Sequence, residues 1–159
     1  MMADVHIREA GIDDIGDMIS LLKELFSIEA DFSFDETRQR CGLKMMIEPG
    51  ESRCVRVASA QNRVVGMVSI QTLVSTAEGG RSGIVEDLVV TSEWRGKGIG
   101  RRLLEAIFIW ARQQGMKRLQ LLADRTNVTA LEFYRGQGWT ATQLICLRKK
   151  EFYDQQSLP

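Results

Sequence analysis

A glycine cluster between a strand-like run and a helical pattern constrains the fold of this 159-residue chain more than any other feature. The strand-like run covers residues 83–91, and the glycine loop covers residues 95–100. Apolar residues then recur at helical spacing up to Gly115, and a fully apolar run follows at residues 119–123. A strand, a helix and a second strand in this order form a right-handed crossover, so the two strands are predicted to lie parallel and adjacent.

Further helices and strands are predicted around this crossover. Apolar spacing indicates a first amphipathic helix over residues 15–26, and Asp35 and Asn127 are placed to cap two others. The additional strands are expected at residues 5–8, 53–60, 64–74 and 139–147. We therefore predict a mixed α/β fold, one domain over residues 1–159, with the order β-α-α-β-β-β-α-β-α-β.

The composition and charge of the chain argue against a nucleic-acid-binding protein and against a membrane protein. The 21 basic and 21 acidic side chains cancel, so no overall field attracts the protein to nucleic acid or to an anionic membrane surface. No stretch approaches the roughly 18 apolar residues of a membrane span, and the N-terminal residues lack the apolar core of a secretory signal. We therefore expect a cytoplasmic protein without a nucleic-acid or membrane partner.

The cysteine and histidine residues do not indicate a metal site or a catalytic triad. Cys41, Cys54 and Cys146 are odd in number and in no CxxC arrangement, which argues against a disulfide framework and a zinc site. Buried free thiols are expected instead. His6 is the only histidine, and no serine motif lies near it. No metal is expected.

The glycine loop has the physical properties of a phosphate site. At a helix start, free backbone N–H groups and the helix dipole favour an anion, and glycines let the backbone approach it. Arg95, Lys97, Arg101 and Arg102 add positive charge.

Two common nucleotide-binding motifs do not match this loop. The dinucleotide-binding pattern does not fit, because it needs glycine where Arg101 stands. Nor does the P-loop, because Lys97 precedes Gly98 instead of following it. A tight turn with solvated arginines is the alternative without a ligand.

Three motifs in a fixed order point to one superfamily. The loop reads R-x-x-G-x-G through Arg95, Gly98 and Gly100. Glu-Asp-Leu-Val-Val at residues 86–90 precedes it, and Asn-x-x-Ala-x-x-Phe-Tyr-x-x-x-Gly-Trp at residues 127–139 follows it. These segments resemble the pyrophosphate-binding motif and its flanks in the GNAT superfamily of acetyl-CoA-dependent N-acetyltransferases.

The resemblance implies how acetyl-CoA, the co-substrate, binds. In the GNAT fold a bulge splays two central parallel strands, and acetyl-CoA lies in the gap with its pantetheine amides against one strand. The residues expected to bind it are Leu88, Val89, Val90, Arg95, Gly96, Lys97, Gly98, Ile99, Gly100, Arg101, Asn127, Ala130 and Phe133. Asn127 also fits a structural N-cap, and both roles can hold together.

The resemblance also implies an acceptor amine that must lose a proton. Because an alkyl ammonium has a pKa of about 10.4, a base matters. Glu86 is the predicted base, and Asp87 ranks second because a regular strand points it to the opposite face. The backbone N–H of Val89 is the candidate to bind the oxyanion of the tetrahedral intermediate. Tyr134 is the candidate to donate a proton or a hydrogen bond to the departing thiolate. The alternatives are a core aromatic role for Tyr134 and plain strand positions for the two acids.

We therefore predict an N-acetyltransferase that acts on the primary amine of a small cationic molecule. The positive charge of the acceptor is predicted from an acidic, phenylalanine-rich stretch at residues 24–36. In the GNAT fold this loop borders the acceptor pocket, so Glu29 and Asp31 are the expected substrate-binding residues. Two alternatives stay open, a catalytically silent CoA-binding regulatory module and an acetyltransferase of protein N-termini or lysines. The resemblance also allows a homodimer.

Overall fold

A computed structural model describes residues 4–150 and 152. The elements are, in chain order, β1 (His6–Glu9), α1 (Ile15–Ile28), α2 (Glu36–Ile47), β2 (Arg53–Ala60), β3 (Arg63–Ser75), β4 (Gly80–Val90), α3 (Ile99–Gln113), β5 (Leu119–Leu121) and α4 (Val128–Gly136). The chain forms two compact units, one up to Leu121 and one from Leu122 onward. Within the described residues, no helix has both the length and the apolar character needed to cross a membrane.

The five strands form one mixed sheet in the order β1-β2-β3-β4-β5. The first four strands are antiparallel, and Gln61 and Asn62, both at positive φ, make the tight turn between β2 and β3. β4 and β5 run parallel, with α3 as the crossover, and pair from Gly83–Leu119 to Val85–Leu121. The predicted α/β class and parallel pair are confirmed.

Helices cover both faces of the sheet in the first unit. α1 and α2 share an apolar cluster with β2, β3 and β4 that includes Met18, Leu22, Val57, Met67 and Val89. Gly66 precedes Met67 and so faces the other side of β3, where a Cβ would lie 3.2 Å from Leu103 of α3. Leu103 and Leu104 are fully buried. The sheet is therefore a rigid support for residues at its edges.

Helix α2 begins as its sequence predicts. Asp35 has extended backbone angles, and its Oδ1 accepts a hydrogen bond of 3.1 Å from the backbone N–H of Arg38. This bond satisfies one of the N–H groups that have no partner inside the helix, which stabilises the first turn.

The predicted last strand at residues 139–147 does not form. Residues 139–150 contain no helix or strand. Leu144, Ile145 and Leu147 are 84%, 70% and 86% exposed. An apolar run becomes a strand only where a neighbouring strand supplies hydrogen bonds and a surface to cover, and the run itself does not contain that information.

The cysteines differ from the expected buried thiols at two positions. All three are free, but Cys41 and Cys146 are exposed and only Cys54 is buried. Burial raises the pKa of the Cys54 thiol, because the charged thiolate is disfavoured away from water.

Candidate active site

A β-bulge interrupts β4 inside the Glu-Asp-Leu-Val-Val segment. Ser69 of β3 pairs with Glu86, and Met67 pairs with Val89, so one residue of β3 faces two of β4 between these pairs. One of the two is Asp87, whose φ of 54° is a left-handed conformation. This conformation costs an L residue about 1–2 kcal/mol, so the surrounding sheet must hold it in place.

The bulge brings two acidic residues to the same groove. Glu86 and Asp87 both line a cavity of about 340 Å³ beside α1, α2 and the strands β2, β3 and β4. The expectation that Asp87 faces the opposite side is wrong, because an extra residue breaks the alternation of a regular strand. The lining residues are Leu22, Phe26, Arg38, Gln39, Gly42, Leu43, Met45, Met46, Arg53, Ser69, Gln71, Glu86 and Asp87.

The carboxyl group of Asp87 has an unusual affinity for a proton. Burial, reinforced by the negative charge of Glu86, raises the pKa of Asp87 to about 6. The Ser69 hydroxyl opposes this rise, since its Oγ lies 3.3 Å from Oδ2 of Asp87. It also lies 3.1 Å from the backbone oxygen of Glu86, so its one hydrogen serves two acceptors. Asp87 is therefore ionised at pH 7 yet accepts a proton more readily than an ordinary aspartate, as a general base requires.

The parallel ladder ends where the acidic pair begins. β4 and β5 pair up to Val85 and Leu121, whereas β4 continues through residues 86–90. Among the described residues, no strand pairs with this edge of β4 beyond Val85. Backbone groups along an unpaired edge can bond an extended ligand, so the expected pantetheine-binding residues Leu88, Val89 and Val90 lie at a suitable edge.

The glycine loop leads into the N-terminus of α3. Gly96 and Gly98 have φ of 73° and 76°, which L side chains rarely adopt, and Gly98 is the N-cap. The first helical hydrogen bond runs from Arg102 N–H to the Gly98 oxygen, so the N–H groups of Ile99, Gly100 and Arg101 have no acceptor inside the helix. A Cβ at Gly96 or Gly98 would meet no heavy atom within 4 Å. This geometry suits an anion.

The basic residues of the loop are held by contacts within the first unit. Arg95 donates from Nε to the Val90 oxygen at 2.8 Å and lies 3.3 Å from a carboxylate oxygen of Glu24. Lys97 Nζ lies 4.6 Å from the centre of the Trp94 ring, and Arg101 pairs with Glu105 at 2.9 Å. Their contribution to anion binding is thus mainly a positive field around the helix start.

The remaining predicted site residues lie in the second unit, on and before α4. Asn127 Oδ1 accepts a hydrogen bond of 3.1 Å from the N–H of Ala130, so Asn127 is an N-cap. The ring of Tyr134 packs edge-on against Phe133 and Trp139, with centroids 5.4 Å and 6.1 Å away. These contacts fix the position of the Tyr134 ring within its unit, and a catalytic role for its hydroxyl stays a prediction.

Glu29 and Asp31 are not among the residues that line the groove. Their loop approaches it through Phe32, whose ring stacks on Phe26 with centroids 5.5 Å apart. Instead, Arg38 and Arg53 contribute cationic side chains to the lining, and sequence reasoning missed both. It also missed Ser69, although a serine inside the apolar run of β3 was an available signal.

The sequence profile of the Acetyltransferase (GNAT) family matches residues 17–139. The chain belongs to this family. It is therefore an acyltransferase, and the sequence resemblance to the GNAT superfamily is confirmed.

Relatives and solved structures agree with membership of the GNAT family. The thialysine N-epsilon-acetyltransferase of Bos taurus is 30% identical, with 86% of this chain and 85% of that protein covered. The aminoalkylphosphonate N-acetyltransferase of Salmonella typhimurium is 27% identical, with 87% of each covered. A solved aminoglycoside N-acetyltransferase in complex with CoA shares the fold, with a TM-score of 0.81 at 14% identity over 94% of this chain and 97% of the other.

The family uses acetyl-CoA, and the observed geometry fits such a ligand. The open space above Gly96 and Gly98 suits a pyrophosphate, as do the N–H groups of α3 that have no acceptor inside the helix. The edge of β4 at residues 86–90, which pairs with no strand in the described part of the chain, suits the amide-bearing arm of CoA. In the described part of the chain, no group of three or more His, Cys, Asp or Glu residues could hold a metal ion.

Proposed function

We propose that this GNAT protein transfers an acetyl group from acetyl-CoA to the primary amine of a small molecule. The observation that carries the proposal is the carboxylate of Asp87, held in the groove by a bulge with a pKa of about 6. Family membership supports acyl transfer. The groove volume of about 340 Å³ lies within the range of roughly 300–1,000 Å³ of small-ligand pockets, which supports a small acceptor.

In the proposed reaction Asp87 first takes one proton from the acceptor ammonium, directly or through water, and the neutral amine nitrogen then attacks the thioester carbonyl carbon. A C–N bond forms, the C–S bond breaks, and the nitrogen loses its second proton. That proton neutralises the departing thiolate, and Tyr134 is our candidate for relaying it. Moving a proton from an ammonium of pKa about 10.4 to a carboxylate of pKa about 6 costs about 6 kcal/mol. For an ordinary aspartate the cost is about 9 kcal/mol, so the raised pKa of Asp87 assists the step.

We assign the base role first to Asp87 and give Glu86 a supporting one. Asp87 is partly shielded from solvent and has the raised pKa, whereas Glu86 is exposed. An exposed carboxylate at the mouth of the groove attracts the incoming ammonium. We keep the N–H of Val89, next to the bulge, as the candidate donor to the carbonyl oxygen as it gains charge.

Two observations favour a small-molecule enzyme over the alternatives. A silent CoA-binding module has no use for a strained, half-buried carboxylate, so the state of Asp87 supports catalysis. The relatives named for thialysine and aminoalkylphosphonate support a small amine rather than a protein chain. The finer prediction, that Glu29 and Asp31 hold a second cationic group of the acceptor, stays a prediction, and a preference for diamines over acceptors with an anionic end would support it.

The proposal is tested by CoA release from acetyl-CoA with a broad amine panel, alongside CoA binding. We expect Asp87→Asn to lower kcat by about a hundredfold or more and to leave CoA binding intact, because a general base contributes about 10²–10⁴. Glu86→Gln should lower kcat less. Asp13→Asn makes the same charge change at an exposed position and should match the parent protein.

Two outcomes would contradict the proposal. CoA binding without turnover of any amine would indicate the silent module. Turnover confined to peptide N-termini or lysines would indicate a protein acetyltransferase.

A further inference from the structure

We infer that the acceptor carries an anionic group in addition to its reacting amine, and that Arg53 binds that group. The inference rests on the proposed function and names the substrate class. It starts from the charges in the groove: Arg38 and Arg53 line the side formed by α2 and β2, whereas Glu86 and Asp87 line the side formed by β4. The groove is thus dipolar, with two cationic and two anionic side chains.

Arg53 has unused hydrogen-bond donors. It is the first residue of β2, pairs with Gln71 of β3, and its side chain is 28% exposed. Its only ion pair among the described residues is a long one of 3.8 Å to the largely exposed Glu48. Its Nε is buried and has no hydrogen-bond partner in the described part of the chain. Since a guanidinium has five N–H donors in a planar fork, Arg53 suits a carboxylate, phosphonate or phosphate.

The sheet register fixes the distance between the two charged ends. Arg53 is in register with Gln71, and Glu86 is in register with Ser69, two residues away on the same strand and face. With strands about 4.8 Å apart and a rise of about 3.4 Å per residue, the Cα atoms of Arg53 and Glu86 lie roughly 12 Å apart. Long side chains from both ends shorten the gap, so a compact molecule can reach both.

The polarity of the groove sets the orientation of such a molecule. The ammonium end is drawn toward Glu86 and Asp87, where the proton is removed, and the anionic end toward Arg53. A second cationic group at that end would meet the like charges of Arg53 and Arg38, whose acidic partners Glu48 and Asp35 do not line the groove. A neutral end would leave the buried Nε of Arg53 without a partner among the described residues.

Arg56 provides a matched control on the same strand. Its side chain is 23% exposed, makes a 3.7 Å ion pair with Glu9, and has a buried Nε without a partner among the described residues. It differs in location, because it lies three residues along β2 on the opposite face of the strand and is not among the residues that line the groove. Loss of a positive charge from β2 is therefore common to both variants, and only Arg53→Gln changes the groove.

The experiment compares amines that share one aminoalkyl chain and differ at the far end. The set is an aminoalkyl carboxylate, an aminoalkyl phosphonate, an aminoalkyl phosphate ester, an amino alcohol and a diamine, each at several chain lengths. We expect the highest kcat/KM with one of the anionic ends, whose relative rates distinguish carboxylate from phosphorus acids. Arg53→Gln should lower kcat/KM for that acceptor about tenfold or more, mainly through KM, and Arg56→Gln should not.

Several results would overturn the inference. One is a preference for the diamine or the amino alcohol, which would leave the acetyltransferase proposal standing. Another is an equal loss for anionic and neutral acceptors in Arg53→Gln, which would show a structural role. Turnover of none of these amines, with another amine of the broad panel acetylated, would overturn this inference alone. Turnover of no amine in the broad panel would overturn the proposed function as well.

Discussion

Asp87 combines features that a purely structural residue would not keep. Its left-handed backbone and its half-buried carboxylate each oppose folding, and Glu86 beside it adds charge repulsion. Ser69 is the nearby group that favours the ionised form, by a hydrogen bond to Oδ2. The proton affinity of Asp87 is therefore set by burial and the charge of Glu86, which raise it, and by one hydroxyl, which lowers it.

Removing that hydroxyl should shift the pH dependence of catalysis. The hydrogen bond from Ser69 stabilises the carboxylate, so Ser69→Ala should raise the pKa of Asp87 above its present value of about 6. This hydrogen bond is long and its hydrogen is shared with the Glu86 oxygen, so its loss should raise the pKa of Asp87 by about half a unit to one unit. Because the base must be ionised, the acidic limb of the kcat/KM profile should move to higher pH by that amount.

The measurement is the pH profile of kcat/KM with a fixed acceptor. Ser59→Ala removes a partly exposed serine hydroxyl from the neighbouring strand β2 and should leave the limb in place. An unmoved limb in Ser69→Ala would mean that the titrating group is not Asp87.

Sequence reasoning identified both acids but not their arrangement. The resemblance of residues 86–90 to a GNAT segment singled out Glu86 and Asp87 as candidates for the base, and the lower rank of Asp87 depended on regular alternation along β4. A bulge is a property of two paired strands, so β4 alone does not reveal the register shift opposite Met67 and Ser69. The two arginines of the groove were missed for a related reason, since only folding brings α2 and β2 beside β4.

At the scale of elements, the glycine loop and the N-terminus of α3 together form the proposed pyrophosphate site. Two glycines at positive φ turn the chain so that the first turn of α3 presents unsatisfied N–H groups. Gly115 at the other end of α3 has φ of 68° and open space around its Cβ position, like Gly98. The two ends share a positive φ that would strain an L residue, and they differ in the sign of the helix dipole.

This likeness gives a controlled test of the pyrophosphate site. Gly98→Glu and Gly115→Glu each add a side chain at positive φ, with a similar cost of about 1–2 kcal/mol in unfolding free energy. Only Gly98→Glu places bulk and negative charge at the helix start. We expect thermal stabilisation by CoA to disappear in Gly98→Glu and to persist in Gly115→Glu. CoA binding retained by a folded Gly98→Glu variant would rule out this location.

The elements that were predicted well are those with strong local signals. Helices α1 and α3 carry long amphipathic patterns, and α2 and α4 begin at capping residues that make their expected hydrogen bonds. The last strand was predicted from apolar composition alone. Its exposed Leu144 and Leu147 show that composition does not supply a pairing partner.

At the scale of the whole molecule, Asp87 lowers the stability of the fold at the position where it serves the proposed catalysis. Apolar residues cover both faces of the sheet, and this large core tolerates a destabilising carboxylate at its margin. A residue that is optimal for proton transfer is then not optimal for folding. The two requirements can be separated by a substitution that keeps shape and backbone preference but removes the charge.

Asp87→Asn should therefore stabilise the fold while it abolishes most activity. The folded-state pKa of Asp87 is about 6 and its ordinary value is 3.8, so the folded state binds the proton more tightly. Ionising Asp87 therefore costs the folded state free energy relative to the unfolded state. This cost is absent below pH 3.8, develops as the pH rises to about 6, and is at most about 3 kcal/mol above that pH. Asparagine is uncharged and tolerates left-handed backbone angles, so it avoids this cost.

The measurement is urea unfolding, which should give a higher unfolding free energy for Asp87→Asn than for the parent at pH 7, and a similar one near pH 3.5. Glu86→Gln, at an exposed site, should gain much less. A destabilised Asp87→Asn at pH 7, or a gain that does not depend on pH, would show that burial does not control the Asp87 carboxylate.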